Sequence, residues 1–318
     1  MKNSKILGTG ASLPEKIVTN FDFEKKIETT NQWIVERTGI EQRHIANNSE
    51  TATKLGASAA LKALQAAGLS VTDIDMLIVA TATPDKVFPS TACLIQEELD
   101  IPAIAAFDIT AACGGFVYGL SIADQFIKTG HKQNVLIIGV EVLSRLADWT
   151  DRGTCILFAD GAGAVVLGPT EEQGILSTHI YADGRYKDLL FCDNPLATPD
   201  SDNNFIRMRG NEVFKIAVKT LSNIVDEALK HNHIDKSEID WLVPHQANIR
   251  IIQATAKKLG MSMEQVVLTV AKHGNTSSAS VPLALDEAIR DGRIKRGQLI
   301  LLEAFGGGFT WGSALIRY

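Results

Sequence analysis

One cysteine stands among residues with almost no side chains in the stretch DITAACGGFVYGL, Asp108 to Leu120. The run AFDIT before it is strand-like, and FVYGLSIADQFIK after it has helix-compatible apolar spacing, so Cys113 falls at a strand-to-helix turn. Unpaired N–H groups and the positive dipole end at a helix start favour thiolate over thiol, and small neighbours leave room for a substrate carbonyl. The expected chemistry is nucleophilic attack on a carbonyl. Free cysteine is otherwise commonly a small buried hydrophobe, and Cys93, Cys155 and Cys192 take that reading. Cys155 lies in CILF and Cys93 in TACLIQEEL, neither with small residues around it.

Two later stretches offer partners. In IDWLVPHQANIR the strand ends at Pro244, which puts His245 beyond a strand C-terminus, where parallel α/β sheets place their ligand crevices. In VAKHGNTSSASVPLAL, Asn275 follows His-Gly and precedes small polar residues and a helix. A lone histidine is often a structural hydrogen-bonder and a lone asparagine a turn residue; placement at strand ends in the other half of the chain favours function. The separations from Cys113 are 132 and 162 residues (245−113 and 275−113). A papain-like protease also sets its histidine and asparagine well downstream, but AACGGF lacks that family's Cys-Gly-Ser-Cys-Trp and lies far from the N-terminus. The stretch GTGASLP leads into a proline and not a helix, so it fails as a dinucleotide fingerprint. In LLEAFGGGFTWG the three glycines have no Lys-Ser/Thr of a phosphate loop and instead let backbone approach a substrate, with an N–H available to an oxyanion.

The elements that must position these residues occur twice. ALQAAGLSVTDIDMLIV lies over ALKHNHIDKSEIDWLV at an offset of 165 (240−75). IKTGHKQNVLII matches IRDGRIKRGQLIL, and GAGAVVLG matches TWGSALIR, in the same order. Apolar strands such as MLIVAT, WLVPH, VLIIG and LILLE alternate with helical patterns, which predicts a duplicated α/β architecture with largely parallel sheet covered on both faces. The halves are expected as 1–170, carrying the cysteine, and 171–318, carrying the histidine and asparagine, meeting near Pro169 to Gly174. A segment rich in Asp, Asn, Pro and Gly, Tyr181 to Glu212, has no counterpart in the first half and reads as a flap over a site or a surface excursion.

Composition bounds the function. With 318 residues, 45% of them hydrophobic, the chain can bury a substantial core, and no apolar run approaches the ~18 residues of a membrane span. A net charge of −6 argues against general attraction to nucleic acid or anionic membrane. The four cysteines form no CxxC pair and no metal-ligand spacing, so neither a disulfide framework nor a metal site is expected. A soluble, cytoplasmic protein with reduced thiols is the reading.

AACGGF, VPHQAN, KHGNTS and EAFGGGFTWG, in this order over essentially the whole chain, together with WIVERTGIEQRHIA, resemble β-ketoacyl-acyl carrier protein synthase III, an initiating condensing enzyme. The resemblance implies a thiolase-like fold of five layers, α-β-α-β-α, in a homodimer. It implies that Cys113 accepts the acyl group, that His245 and Asn275 drive decarboxylation, and that the N–H groups of Cys113 and Gly307 hold the oxyanion. Asn275 fits this family and the chalcone-synthase-like enzymes, whereas elongating synthases carry a second histidine there and thiolases a second cysteine. Two departures stand out: Gly114, where many relatives have alanine, and Arg209, which replaces a small residue at the site entrance.

The implied substrates are an acyl-CoA, with acetyl the expected primer, and malonyl-acyl carrier protein, with no separate cofactor. For coenzyme A the resemblance points to Thr29, Trp33, Arg37, Arg152, Gly210 and Asn248; physically, Trp and Arg can sandwich an adenine and Arg can pair with phosphates. A net-negative chain that meets an acidic carrier needs a local basic face. In HQANIRIIQATAKKLG, Arg250, Lys257 and Lys258 recur after two helical turns, with Gln246, Ala247, Asn248 and Ile249 leading into them. Lys215 and Arg209 are the next candidates. Two alternatives are a related polyketide- or quinolone-type condensing enzyme and a catalytically silent carrier-protein-binding relative.

Overall fold

The structure, a computed structural model, describes residues 3–198 and 204–318. Its centre is two sheets built to one plan. In the first, the strand order is Asn3–Ser12, Asp160–Thr170, Val135–Val142, Met76–Ala80, Ala105–Ile109. In the second it is Ile175–Ala182, Thr310–Arg317, Leu299–Gly306, Trp241–Pro244. A parallel bridge from Leu242 to Val266 supplies the remaining position, where Ala105–Ile109 pairs Met76–Ala80 in the first sheet.

The pairing directions also repeat. Met76–Ala80 runs parallel to Val135–Val142, and Trp241–Pro244 runs parallel to Leu299–Gly306. In each sheet one strand, Asp160–Thr170 in the first and Thr310–Arg317 in the second, runs antiparallel to both of its neighbours. The sheets are therefore mixed, which corrects the expectation of largely parallel sheet. The reason is that GAGAVVLG and TWGSALIR are as apolar as their parallel neighbours. They are buried on both faces, and periodicity carries no sign of direction.

Helices complete five layers. Gly115–Lys128 and Ser280–Arg290 lie between the sheets, where Phe116, Val117, Leu120, Val281, Ala284 and Leu285 bury against Ile78, Ile137, Ile300 and Leu302. Ala52–Ala67 and Thr91–Glu98 cover the outer face of the first sheet. Gly210–Asn232 and Ile249–Leu259 cover that of the second. Burying three clusters of this size supplies the main drive to fold.

The halves interlock at two glycines. A Cβ on Gly306 would lie 2.5 Å from Cys113 N, and one on Gly139 would lie 2.3 Å from Ser278 O. Each short turn that starts a central helix, Ala112–Gly114 in one half and Ser277–Ala279 in the other, thus presses into the middle strand of the opposite half. These turns differ by the offset seen in the sequence, 165 (278−113). The unmatched segment folds back over the second sheet: a short hairpin pairs Leu190–Phe191 with Arg207–Met208, and Tyr186 stacks on Phe309 at 5.3 Å. Residues 199–203 of that segment lie outside the described residues.

Candidate active site

Cys113 sits at the expected turn, 6% exposed, one residue after Ala112, whose φ of 44° is in the left-handed region. That conformation costs energy for a residue with a side chain and is characteristic of sites where geometry is held by its surroundings. Thr310 Oγ1 donates to Ala111 O at 2.6 Å, fastening the turn to the glycine-rich loop. Gly114 fits this crowding, since a Cβ there would come within 3.2 Å of Thr310 Oγ1. The thiol itself departs from expectation. Burial pushes it up to about 12 and the nearby Glu141 carboxyl pushes the same way, while the Ser277 hydroxyl and the backbone pull it down. Desolvation outweighs the helix start, so the resting residue is a thiol.

His245 follows the strand Trp241–Pro244 and is pinned by its own N–H donating to Glu303 O at 2.8 Å. Its ring is buried, its Nδ1 lies 2.6 Å from Ser280 Oγ, and burial holds it down near 3. It is therefore a neutral imidazole with Nε2 left for chemistry. Asn275 is fixed through its backbone, which accepts from Ala159 N at 2.9 Å and donates to Leu157 O at 2.9 Å. Its Oδ1 accepts the Ser277 N–H at 2.9 Å, so the amide presents its Nδ2 hydrogens. Both side chains are oriented from Ser277–Ser280, and the turn at the start of this stretch packs on the Cys113 turn. The segment Ser277–Ser280 thus touches the turn of Cys113 and the side chains of His245 and Asn275. Ser277, Ser280 and Glu141 were missed: serines within TSSAS give no local sign of which one points inward. A glutamate inside the apolar run VLIIGVEVL was a usable signal.

The glycine-rich loop behaves as a close-approach backbone. Gly306 abuts Cys113, and a Cβ on Gly307 would meet Leu190 O at 2.9 Å, which places that loop under the hairpin. Outside this centre, Trp33 is half-buried with the guanidinium of Arg37 at 4.4 Å and that of Arg152 at 4.6 Å from its ring centroid. Thr29 Oγ1 is buried without a hydrogen-bond partner among the described residues. Asn248 Nδ2 donates to Arg37 O at 2.9 Å, which ties this aromatic platform to the helix that begins beside His245. Gly210 is exposed at the start of Gly210–Asn232, and Arg209 is exposed just before it.

On the helix Ile249–Leu259, Arg250, Lys257 and Lys258 are exposed, and Ala247 and Ile249 are half-buried. Gln246 must be removed from the carrier-facing set. It is fully buried, its Nε2 donates to Pro244 O and Val267 O, and its Oε1 accepts from Thr269 N and Val270 N. All of its capacity is spent on bracing the loop. Among the described residues no cluster of three His, Cys, Asp or Glu could hold a metal, and no helix is long and apolar enough to cross a membrane.

Comparison with known proteins bears on this geometry. Residues 107–184 match the family model of 3-oxoacyl-[acyl-carrier-protein] synthase III, and residues 229–318 match the model of its C-terminal region. The chain is 60% identical over 322 residues to a β-ketoacyl-[acyl-carrier-protein] synthase III of Thioalkalivibrio sulfidiphilus, covering 100% of both chains. It is 61% identical over 319 residues to one of Thiobacillus denitrificans, again covering 100% of both. The crystal structure of 3-oxoacyl-[acyl-carrier-protein] synthase III from Aquifex aeolicus superposes with a TM-score of 0.95 at 50% identity, over 99% of this chain and 100% of that one. The chain belongs to the β-ketoacyl-[acyl-carrier-protein] synthase III family and is a condensing acyltransferase of the kind that initiates fatty acid synthesis.

Proposed function

We propose that the chain works in two half-reactions on Cys113. An acyl-CoA, with acetyl the expected primer, transfers its acyl group to the thiol and leaves as free coenzyme A. Malonyl-acyl carrier protein then enters and loses CO₂, and the resulting enolate attacks the acyl-cysteine to give β-ketoacyl-acyl carrier protein. A thioester suits the task because acyl transfer between thiols is nearly balanced in energy and keeps the acyl carbon reactive. Two substrates that share one cysteine give ping-pong kinetics.

The observation that carries this reading is that His245 and Asn275 are both presented as neutral donors. His245 has Nδ1 engaged and stays uncharged, and Asn275 has Oδ1 engaged. Two such donors stabilise an enolate oxygen without giving up a proton, whereas a carboxylate at either place would repel it. The N–H groups of Cys113 and Gly307 serve the tetrahedral intermediates, each donor contributing about 10²- to 10³-fold.

Thr29, Trp33, Arg37, Arg152, Gly210 and Asn248 receive coenzyme A, with the adenine entering beside Trp33 by displacing an arginine from its ring. Ala247, Asn248, Ile249, Arg250, Lys257 and Lys258 receive the carrier protein. The halves are taken as 1–170 and 171–318, and a homodimer is supported by the free edge of Ala105–Ile109 and the exposed Val87 and Phe88. Acylation of Cys113 by acetyl-CoA, followed by intact mass, tests the scheme. Cys113→Ser is expected to abolish it. His245→Ala and Asn275→Ala are expected to lose malonyl decarboxylation by about 10²-fold or more while retaining much of the acyl transfer. Parental decarboxylation in either variant removes that residue from its assigned role.

A further inference from the structure

Glu141 lies at the end of Val135–Val142 as a fully buried acid beside the nucleophile, and the two half-reactions give it no task. Its Oε2 accepts from the Ala82 amide at 3.1 Å and the Thr83 hydroxyl at 2.8 Å. Its Oε1 meets Ser277 Oγ at 3.1 Å and Ser278 Oγ at 2.9 Å. Ser278 Oγ also lies 2.9 Å from Ala80 O. A hydroxyl has one proton to give. When Ser278 gives it to Ala80 O, its contact with Oε1 is satisfied by a proton on Glu141; when it gives it to Oε1, Glu141 is a carboxylate. The same heavy-atom positions hold both protonation states, so the cage can accept and return a proton without rearranging. The hydrogen-bonding side chains of this cage, Thr83, Ser277 and Ser278, are neutral, and Cys113 is the ionisable group that Glu141 influences.

Ser277 connects this acid to the thiol. Its hydroxyl is within hydrogen-bond distance of Glu141, and its turn packs directly on the Cys113 turn, where the same hydroxyl favours the ionised form of Cys113. It is held at a φ of 49°, the counterpart in the repeat of Ala112 at 44° (277−112 = 165). Two side-chain-bearing residues in the left-handed region thus flank the thiol, one in each half, and such strain persists only where the surroundings enforce it. A buried thiol of this kind cannot attack until its proton has somewhere to go.

We infer that Glu141, acting through Ser277, takes up the Cys113 proton during acyl transfer from acyl-CoA. The thiol proton passes to Ser277 Oγ as the Ser277 proton passes to Glu141 Oε1. The sulfur electron pair then forms the S–C bond to the thioester carbonyl. Collapse of the tetrahedral adduct breaks the C–S bond to coenzyme A, whose sulfur takes the proton back along the same path. The products are acyl-Cys113 and free coenzyme A, with no proton gained or lost. Neutralising Glu141 also removes the negative charge that otherwise opposes the thiolate.

The inference rests on Cys113 being the acylated residue. Its test is the first-turnover acylation of the full chain by acetyl-CoA without malonyl-carrier protein, measured by quenched intact mass across pH. In the parent the rate is expected to rise through about 6, where burial places the Glu141 carboxyl, and then level off. Glu141→Gln is expected to lose that inflection and slow by about 10²-fold or more, as removal of a proton acceptor does. Ser277→Gly removes the link while accepting the left-handed backbone, and is expected to lose the same inflection with the parental melting temperature. Alkylation of Cys113 by iodoacetamide should lose it in both variants. A parental rate and pH profile in Ser277→Gly overturns the inference, even if Glu141→Gln fails to fold. Absence of acylation at Cys113 in the parent overturns the functional reading, and this inference with it.

Discussion

Ser280 decides which nitrogen of His245 carries the proton. Its Oγ lies 2.6 Å from His245 Nδ1 and accepts from the Gln246 amide at 3.4 Å; donation of the Ser280 proton to Nδ1 leaves the imidazole hydrogen on Nε2. Only that tautomer can donate to a developing enolate. Ser280→Ala should release the constraint and populate both tautomers, which lowers malonyl decarboxylation by about 10-fold and leaves Cys113 acylation within about 2-fold. Nitrogen-15 NMR of labelled histidine reads the tautomer directly. An unchanged Nε2–H signal with an unchanged decarboxylation rate would mean that Ser280 is only packing. Because burial holds His245 near 3, below the ordinary 6.5, its neutral form contributes stability that is complete above 6.5 and is lost as pH falls toward 3.

The turns and helices make these residues possible. At Gly306, an alanine Cβ would lie 2.5 Å from Cys113 N and 2.9 Å from Cys113 Cβ, contacts that backbone cannot relieve by a side-chain rotation. Gly306→Ala is expected to displace the nucleophile and the adjacent oxyanion donor and to cut acylation by about 10²-fold or more, measured in the same intact-mass assay. Parental acylation would show that the Cys113 turn tolerates the shift. The helix Ile249–Leu259 carries the second prediction at this scale. Arg250 and Lys257 are exposed seven residues apart, about 10 Å along the axis. Arg250→Glu should raise KM for malonyl-acyl carrier protein about 10-fold and flatten its salt dependence, while acyl transfer from acyl-CoA stays near the parental rate. Carrier kinetics unchanged at low and moderate salt would move docking toward Lys215 and Arg209. The turn of Cys113 and the strand end of His245 were legible because small residues mark the one and Pro244 the other, whereas Asn275, expected at a strand end, lies between the short helix Val270–His273 and the turn Ser277–Ala279 and is held by a bridge to Phe158. Gln246 was misplaced because its neighbours in sequence face the surface while its own side chain turns inward. The raised thiol was invisible for a related reason: burial is a property of the assembled layers, and no local pattern around AACGGF reports it.

At the scale of the whole molecule, the two sheets repeat one plan but have diverged in what they bury. Ile138 and Glu303 occupy equivalent registers: Ile138 pairs with Val79 and Glu303 with Pro244, each pair related by 165 (303−138 and 244−79). Ile138 belongs to the outer cluster of the first sheet. Glu303, in the equivalent place, is fully buried with neither carboxyl oxygen hydrogen-bonded among the described residues, and Ser313 Oγ directly opposite it is equally unpartnered. Burial pushes this carboxyl from 4.5 up to about 8. An acid whose folded value is raised contributes stability that is fully present below 4.5 and is lost as pH rises through about 8, because the folded form holds a proton that the unfolded chain has released. Glu303→Ile restores the residue of the first half and removes this dependence. The variant should gain on the parent as pH rises, by at most about 1.4 kcal/mol per pH unit, with the gain levelling off above about 8. Urea unfolding of both proteins at several pH values measures it. A difference that stays constant with pH would show that Glu303 titrates alike in the folded and unfolded chains.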